Sequence, residues 1–209
     1  MKRQSQTISG ALFMISFLLW AIYSRSPRPL LALLAILLHE GGHWLAIKLC
    51  RVPLDGFGFN SCEARLCLGS PVSYKKESII CAAGPAANLL SLLPSLHKGA
   101  SLLGESALSF FTSVSAALAL LNLLPIGDLD GGRLLTCLLS MLVDPDLARQ
   151  VCEILSFLTL FCLWSVSVYA LLRTGGNLSL FFFSATLFYR VFISTPSRGI
   201  KRIQKNKRE

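Results

Sequence analysis

From Leu31 to Cys50 the chain reads LALLAILLHEGGHWLAIKLC, an apolar run of helix length with His39, Glu40 and His43 at its centre. No other feature restricts the chain as much. An ionisable group at membrane depth costs at least about 2.5–3.5 kcal/mol on insertion scales, and such groups face a bundle interior or a wet cavity. Residues four apart share one face of a helix. His39 and His43 can therefore offer ring nitrogens to one metal ion at about 2.0–2.1 Å. Glu40 is displaced by one position, so it reaches a water at such an ion rather than the ion itself, the general-base place in H-E-x-x-H. The competing reading is a chance match to a short motif. Against it, two of the chain's three histidines stand at ligand spacing inside an apolar run. Gly41 and Gly42 separate them. Each weakens a helix by about 1 kcal/mol and leaves a groove where another backbone can approach.

The rest of the composition agrees with a membrane setting. Of 209 residues, 53% are hydrophobic and 15% charged, and mean hydropathy is +0.60. A soluble domain of this length carries more polar surface. The expected fold class is an all-α polytopic membrane protein of about six transmembrane helices, forming a single domain over residues 1–209. Charge-free runs place the spans near Thr7–Ser24, Leu30–Leu49, Ser78–Leu96, Ser106–Pro125 continuing into Leu134–Val143, Ile154–Leu172 and Leu178–Ile193. The first of these reads as a retained span, since no small-residue cleavage site follows it. The loop Arg51–Glu77 holds alternating apolar residues and glycines, and reads either as a short membrane-associated β-hairpin or as an ordinary connection.

With both termini in the cytoplasm, this layout leaves only Arg25, Arg28, Lys98 and Arg173 of the twenty basic residues on the opposite side, the bias expected of cytoplasmic loops. The basic tail, residues 197–209, reads as a flank beside anionic lipid. Nucleic acid is not an expected partner, because no aromatic residues interleave with those charges. Cys81, Cys137, Cys152 and Cys162 sit in apolar runs as small hydrophobes. Cys62 and Cys67 form a C-x4-C pair, a weak metal signal that an ordinary loop explains as well.

Catalytic zinc usually takes three protein ligands and one open position. His97 is a candidate by residue type, and Asp128 and Asp130 in NLLPIGDLDGG are candidates by chemistry. Depth separates them. His39 to His43 lie about 10–17 Å from the cytoplasmic end of their span, and Asp130 about 20 Å from the end of its own if the piece between is helical. His97 belongs to a span that ends on the other side, beside Lys98. Pro125, Gly127, Gly131 and Gly132 break the helix around Asp130, and broken backbone at membrane depth is tolerated only where it is buried in protein or lines a cavity.

These residues resemble the site-2 proteases, the intramembrane zinc metalloproteases. HEGGH fits the family's H-E-x-x-H, NLLPIGDLDGG fits its N-x-x-P…L-D-G, and GPAAN (Gly84 to Asn88) is similar to its G-P-x-x-N element; order and separation fit as well. The three-span core would cover about residues 30–143. The resemblance implies His39, His43 and Asp130 as ligands of one Zn2+ per chain and Glu40 as the catalytic glutamate. It implies Asn122 as a residue that positions substrate or stabilises the developing oxyanion. Asp128 falls outside the ligand position. No PDZ segment is visible between the motifs. The chain looks like the compact six-span branch, similar to proteases that release a membrane-held pro-sigma factor during bacterial sporulation, which would place it in a bacterial cell membrane.

The implied reaction is hydrolysis of a peptide bond in or near the transmembrane segment of a membrane-protein substrate. Zinc would polarise the carbonyl and acidify water, and Glu40 would carry the proton. A helical target hides its backbone and must unwind, and the Arg51–Glu77 loop could hold the unwound strand by edge pairing. Partners would be that substrate, the lipid bilayer and membrane-bound regulatory proteins. The alternatives are a metal-ion transporter, which shares broken helices and midplane ligands, and a non-catalytic relative that retains a membrane partner.

Overall fold

The computed structural model describes residues 23, 26–52, 54–60, 63–68, 72–93, 105–174, 178–189 and 191. The expected first span, His97, Cys62 and the basic tail lie outside these residues. The architecture is helical, with one two-stranded ribbon among the described residues. The chain divides into two compact units, Met1–Leu123 and Leu124–Glu209.

In the first unit, α1 spans Arg28–Leu49. It starts where a helix tolerates proline, with Pro27 at the N-cap and Pro29 in the first turn, so no interior N–H is lost. Its other end closes on Arg51, a non-glycine residue in the left-handed region (φ 51°). Arg51 N–H donates to the Lys48 carbonyl (3.1 Å) and Val52 N–H to the Ile47 carbonyl (3.2 Å). That pair of bonds is a Schellman stop, which satisfies carbonyls the helix end would orphan. Val52 then tucks against Ala46, Ile47 and Ile80, the apolar contact that accompanies such stops. Lys48 lies in the last turn, where cations suit the helix dipole, with Nζ 3.7 Å from the Trp44 ring centroid.

After α1, β1 (Leu54–Asn60) pairs antiparallel with β2 (Glu63–Leu68), from Leu54 opposite Leu68 to Asn60 opposite Glu63, with an irregularity between Leu54 and Gly56. Helix α2 (Tyr74–Leu90) follows, then α3 (Glu105–Asn122). Both pack against α1 and against each other. Leu31, Ala35 and Phe111 form the α1–α3 contact. Much of the outward face of α1 is apolar, with Leu30, Leu37, Leu45 and Leu49 more than half exposed. A water-soluble surface would not carry such a stripe; a lipid-facing one does.

The second unit contains α4 (Asp130–Leu139), α5 (Pro145–Thr174) and α6 (Leu178–Phe188). Its core gathers Ile126, Leu129, Leu160 and Leu187. Ser167 and Ser184, both fully buried, share a hydrogen bond of 3.2 Å between α5 and α6, a polar link of the kind that joins helices in lipid. Helix α5 begins at Pro145, nine residues before the apolar run expected from Ile154. The extra turns carry Asp146, Arg149 and Glu153, paired at 3.2 and 3.9 Å on an exposed face.

By length and hydropathy, Arg28–Leu49 and Pro145–Arg173 are candidate membrane spans among the described residues, and Ser106–Asn122 is a shorter apolar helix.

Candidate metal centre

The i, i+4 spacing on α1 puts both imidazoles on its buried face, with His39 6% and His43 8% exposed. Their Nε2 atoms approach to 3.2 Å and the rings meet edge to face. Two nitrogens converging on one point is what a shared ligand requires. Glu40, one position round the helix, is half-buried. Gly41 beyond it is exposed, and a Cβ there would meet nothing within 4 Å. The two glycines of HEGGH therefore divide their work. Gly41 leaves open space beside Glu40. Gly42 is the point where α2 comes close: a Cβ there would lie 2.5 Å from the Ala83 carbonyl oxygen and 2.9 Å from the Ala87 Cβ.

Helix α2 supplies the supports. His43 Nδ1 lies 2.7 Å from the carbonyl oxygen of Ile80. A carbonyl only accepts, so this nitrogen carries the proton and Nε2 keeps its lone pair for a ligand. Gly84 sits under the same ring, and a Cβ at that position would overlap the imidazole at Nε2. One turn on, the fully buried Asn88 brings its amide Nδ2 to 3.3 Å from His39 Nδ1. Because α1 and α2 run antiparallel here, Gly84 faces His43 and Asn88 faces His39. The sequence reading singled out GPAAN but did not attach Asn88 to a histidine. The available signal was an asparagine one helical turn from a glycine within an apolar run.

In the second unit the aspartate loop is held by its own contacts. Leu129 is the N-cap of α4 in extended conformation (φ −92°, ψ 164°), and Asp130 is the first residue of that helix. The Gly132 backbone lies against Ile126, where a Cβ would overlap the carbonyl oxygen. Ser156 on α5 straps the loop. Its Oγ accepts from Gly127 N–H at 3.0 Å and stands 3.1 Å from the Pro125 carbonyl and 2.6 Å from its own Cys152 carbonyl. Nothing in the sequence pattern marked Ser156, a lone hydroxyl in a long apolar helix.

In the first unit His39 and His43 bring two candidate ligand nitrogens together; in the second, Asp130 opens α4. Asn122, at the end of α3, donates one amide hydrogen to the Leu118 carbonyl (3.0 Å). His97, the other candidate by type, lies outside the described residues.

With this geometry in view, the comparisons with known proteins are specific. The fold matches the solved structure of the site-2 protease from Methanocaldococcus jannaschii with a TM-score of 0.59, over 87% of this chain and 85% of that one, at 19% sequence identity. The chain thus has the fold of a site-2 protease. Residues 97–166 match the sequence model of Peptidase family M50, a stretch that includes Asn122 and Asp130 and leaves out HEGGH. No curated protein sequence matches the chain. The site-2 protease resemblance read from the sequence is thus matched by the fold, and the stretch that holds NLLPIGDLDGG is matched by a peptidase family model.

Proposed function

We propose that this protein is an intramembrane zinc metalloprotease that cuts a peptide bond in or near the transmembrane segment of a membrane-protein substrate. The observation that carries the reading is the pair of converging Nε2 atoms on α1, with Glu40 one position along the same helix. Two neutral imidazoles and one carboxylate suit zinc and leave a fourth position open. His43 is already oriented for the task by its bond to Ile80.

In this reading His39, His43 and Asp130 hold the ion. A bound zinc supplies Lewis-acid polarisation of the scissile carbonyl and acidifies water. Glu40 takes the water's proton and returns it to the departing amide nitrogen, which is the proton bookkeeping of hydrolysis. The open side at Gly41 is where a substrate backbone reaches Glu40. Asn122 has a second amide hydrogen and a carbonyl to offer substrate, since its bond to Leu118 uses only one hydrogen.

The finer parts of the proposal concern the membrane. All of residues 1–209 act as one membrane-embedded protease domain with six spans, both termini in the cytoplasm and the setting a bacterial cell membrane. The β1–β2 ribbon lies at the membrane and offers an edge to an unwound substrate segment. Membrane-bound regulators and a role in sporulation follow the family resemblance. Co-expression with candidate single-span proteins, followed by mass spectrometry of the cut ends, tests the activity. Cut ends inside or next to a transmembrane segment support it, and intact candidates beside an active-site variant and wild type alike would overturn it.

A further inference from the structure

The histidine nearer the N-terminus of α1 has a support of its own. We propose that Asn88 is a positioning residue for His39: its side-chain carbonyl Oδ1 accepts the Nδ1 proton of that imidazole and so keeps Nε2 available to the metal.

The argument is a count of protons. Both Nε2 atoms must present lone pairs if His39 and His43 are to hold one ion, so each ring carries its proton on Nδ1. For His43 the acceptor is the Ile80 carbonyl at 2.7 Å. For His39 the group at Nδ1 is the Asn88 amide, 3.3 Å away. An N–H cannot be accepted by an NH2 group; only Oδ1 can take it. The two ends of a carboxamide exchange by a half turn about its last torsion and have nearly the same shape. Asn88 is completely buried, and its Oδ1 is without a hydrogen-bond partner among the described residues. A buried acceptor left unsatisfied costs about 1–3 kcal/mol. The half turn removes that cost and supplies the acceptor His39 needs. In the other orientation Nδ2 donates to His39 Nδ1, the ring proton moves to Nε2, and His39 cannot be a ligand through that atom. The amide's orientation and the ligand state of His39 are therefore one variable.

Position supports the role. Gly84 and Asn88 are one turn apart on α2, opposite His43 and His39 one turn apart on α1. The first makes room for one ring and the second addresses the other. The proposal rests on the zinc-site reading and adds a residue to it.

The test is the zinc affinity of the detergent-purified full chain, measured by chelator competition on wild type, Asn88→Ala and Asn88→Asp. Supporting groups of this kind are worth about 10–100-fold in metal affinity. Asn88→Ala should lose about that much. Asn88→Asp, which can accept but not donate, should bind zinc within about threefold of wild type or more tightly, as carboxylate–histidine–metal chains do. Equal affinity in Asn88→Ala and wild type would overturn the proposal, as would an Asn88→Asp loss as large as that of alanine with the fold intact by circular dichroism. A wild type that binds no zinc would instead overturn the metal-site reading beneath it. If Asn88→Ala does not fold, ring-15N spectra of the cadmium-loaded wild type decide, with only three histidines to assign. Cadmium on His39 Nε2 with a protonated Nδ1 supports the assignment, and cadmium on Nδ1 refutes it.

Discussion

In the proposed site two adjacent side chains on α1 would divide binding from chemistry, and the division can be measured. His39 is buried at the shared point of the imidazoles, whereas Glu40 is turned one position away and half-buried. Glu40→Gln is nearly isosteric and removes a charge from membrane depth, so the zinc content of the purified variant should equal that of wild type. Its amide cannot take a proton from water, and cleavage should fall by at least about 10²–10⁴-fold, the usual contribution of general acid–base catalysis. Asp130→Ala should do the reverse in order: zinc goes first, and activity with it, because two imidazoles alone fall short of the three protein ligands that catalytic zinc takes. Metal analysis and cleavage on the same preparations check both variants. Full zinc in Asp130→Ala, or near-normal cleavage in Glu40→Gln, would sink these assignments. Arg51, which adopts a left-handed backbone to end α1, shows that the same region also accepts strain for structural reasons alone.

The α1–α2 pair is the element that orders the two imidazoles. Gly42 permits the close approach, Gly84 leaves room for a ring, and Ile80 and Asn88 hold the outer nitrogens. Gly84→Ala places a methyl where the His43 imidazole lies, so the ring or the helix must move. Overpacking of this kind costs about 1–3 kcal/mol. Zinc affinity should accordingly fall by about 5–150-fold, while α-helix content by circular dichroism stays the same; unchanged affinity would mean that His43 has room the structure does not give it. The histidine pair was legible in advance because helical spacing alone brings residues 39 and 43 to one face. Asp130 stood out as a ligand candidate because glycines and a proline break an apolar run around it. Asn88 and Ser156 were not, since a hydropathy profile records a buried asparagine or serine only as a small dip, and their partners lie 49 and 29–31 residues away in sequence. Helix α5 was read short for a related reason. Asp146, Arg149 and Glu153 look like loop to a hydropathy window, although they are spaced to pair along a helix.

For the whole molecule, orientation is the quantity with the most at stake. Of the twenty basic residues, only Arg25, Arg28, Lys98 and Arg173 fall outside the cytoplasm in the six-span layout. Reporter fusions after Ser24 and after Lys98 should therefore report the outer side and a C-terminal fusion the inner side; a C-terminal reporter on the outer side would remove a span. At 1.5 Å per residue, the 30 residues of α5 extend about 45 Å, past a hydrocarbon core of about 30 Å, which leaves its charged first turns free to stand in water. The division of the chain into Met1–Leu123 and Leu124–Glu209 also has a consequence for the order of birth. Both histidines and their α2 supports are made before Asp130, and at about 5–20 residues per second the ribosome needs several seconds to get from Asn88 to Asp130. During that interval the nascent chain can offer an ion two imidazole nitrogens and no carboxylate as a third ligand. Chains held on ribosomes with Asp130 still inside the exit tunnel should bind zinc more weakly than chains from which Asp130 has emerged; equal affinity at both lengths would show that the aspartate is not a ligand.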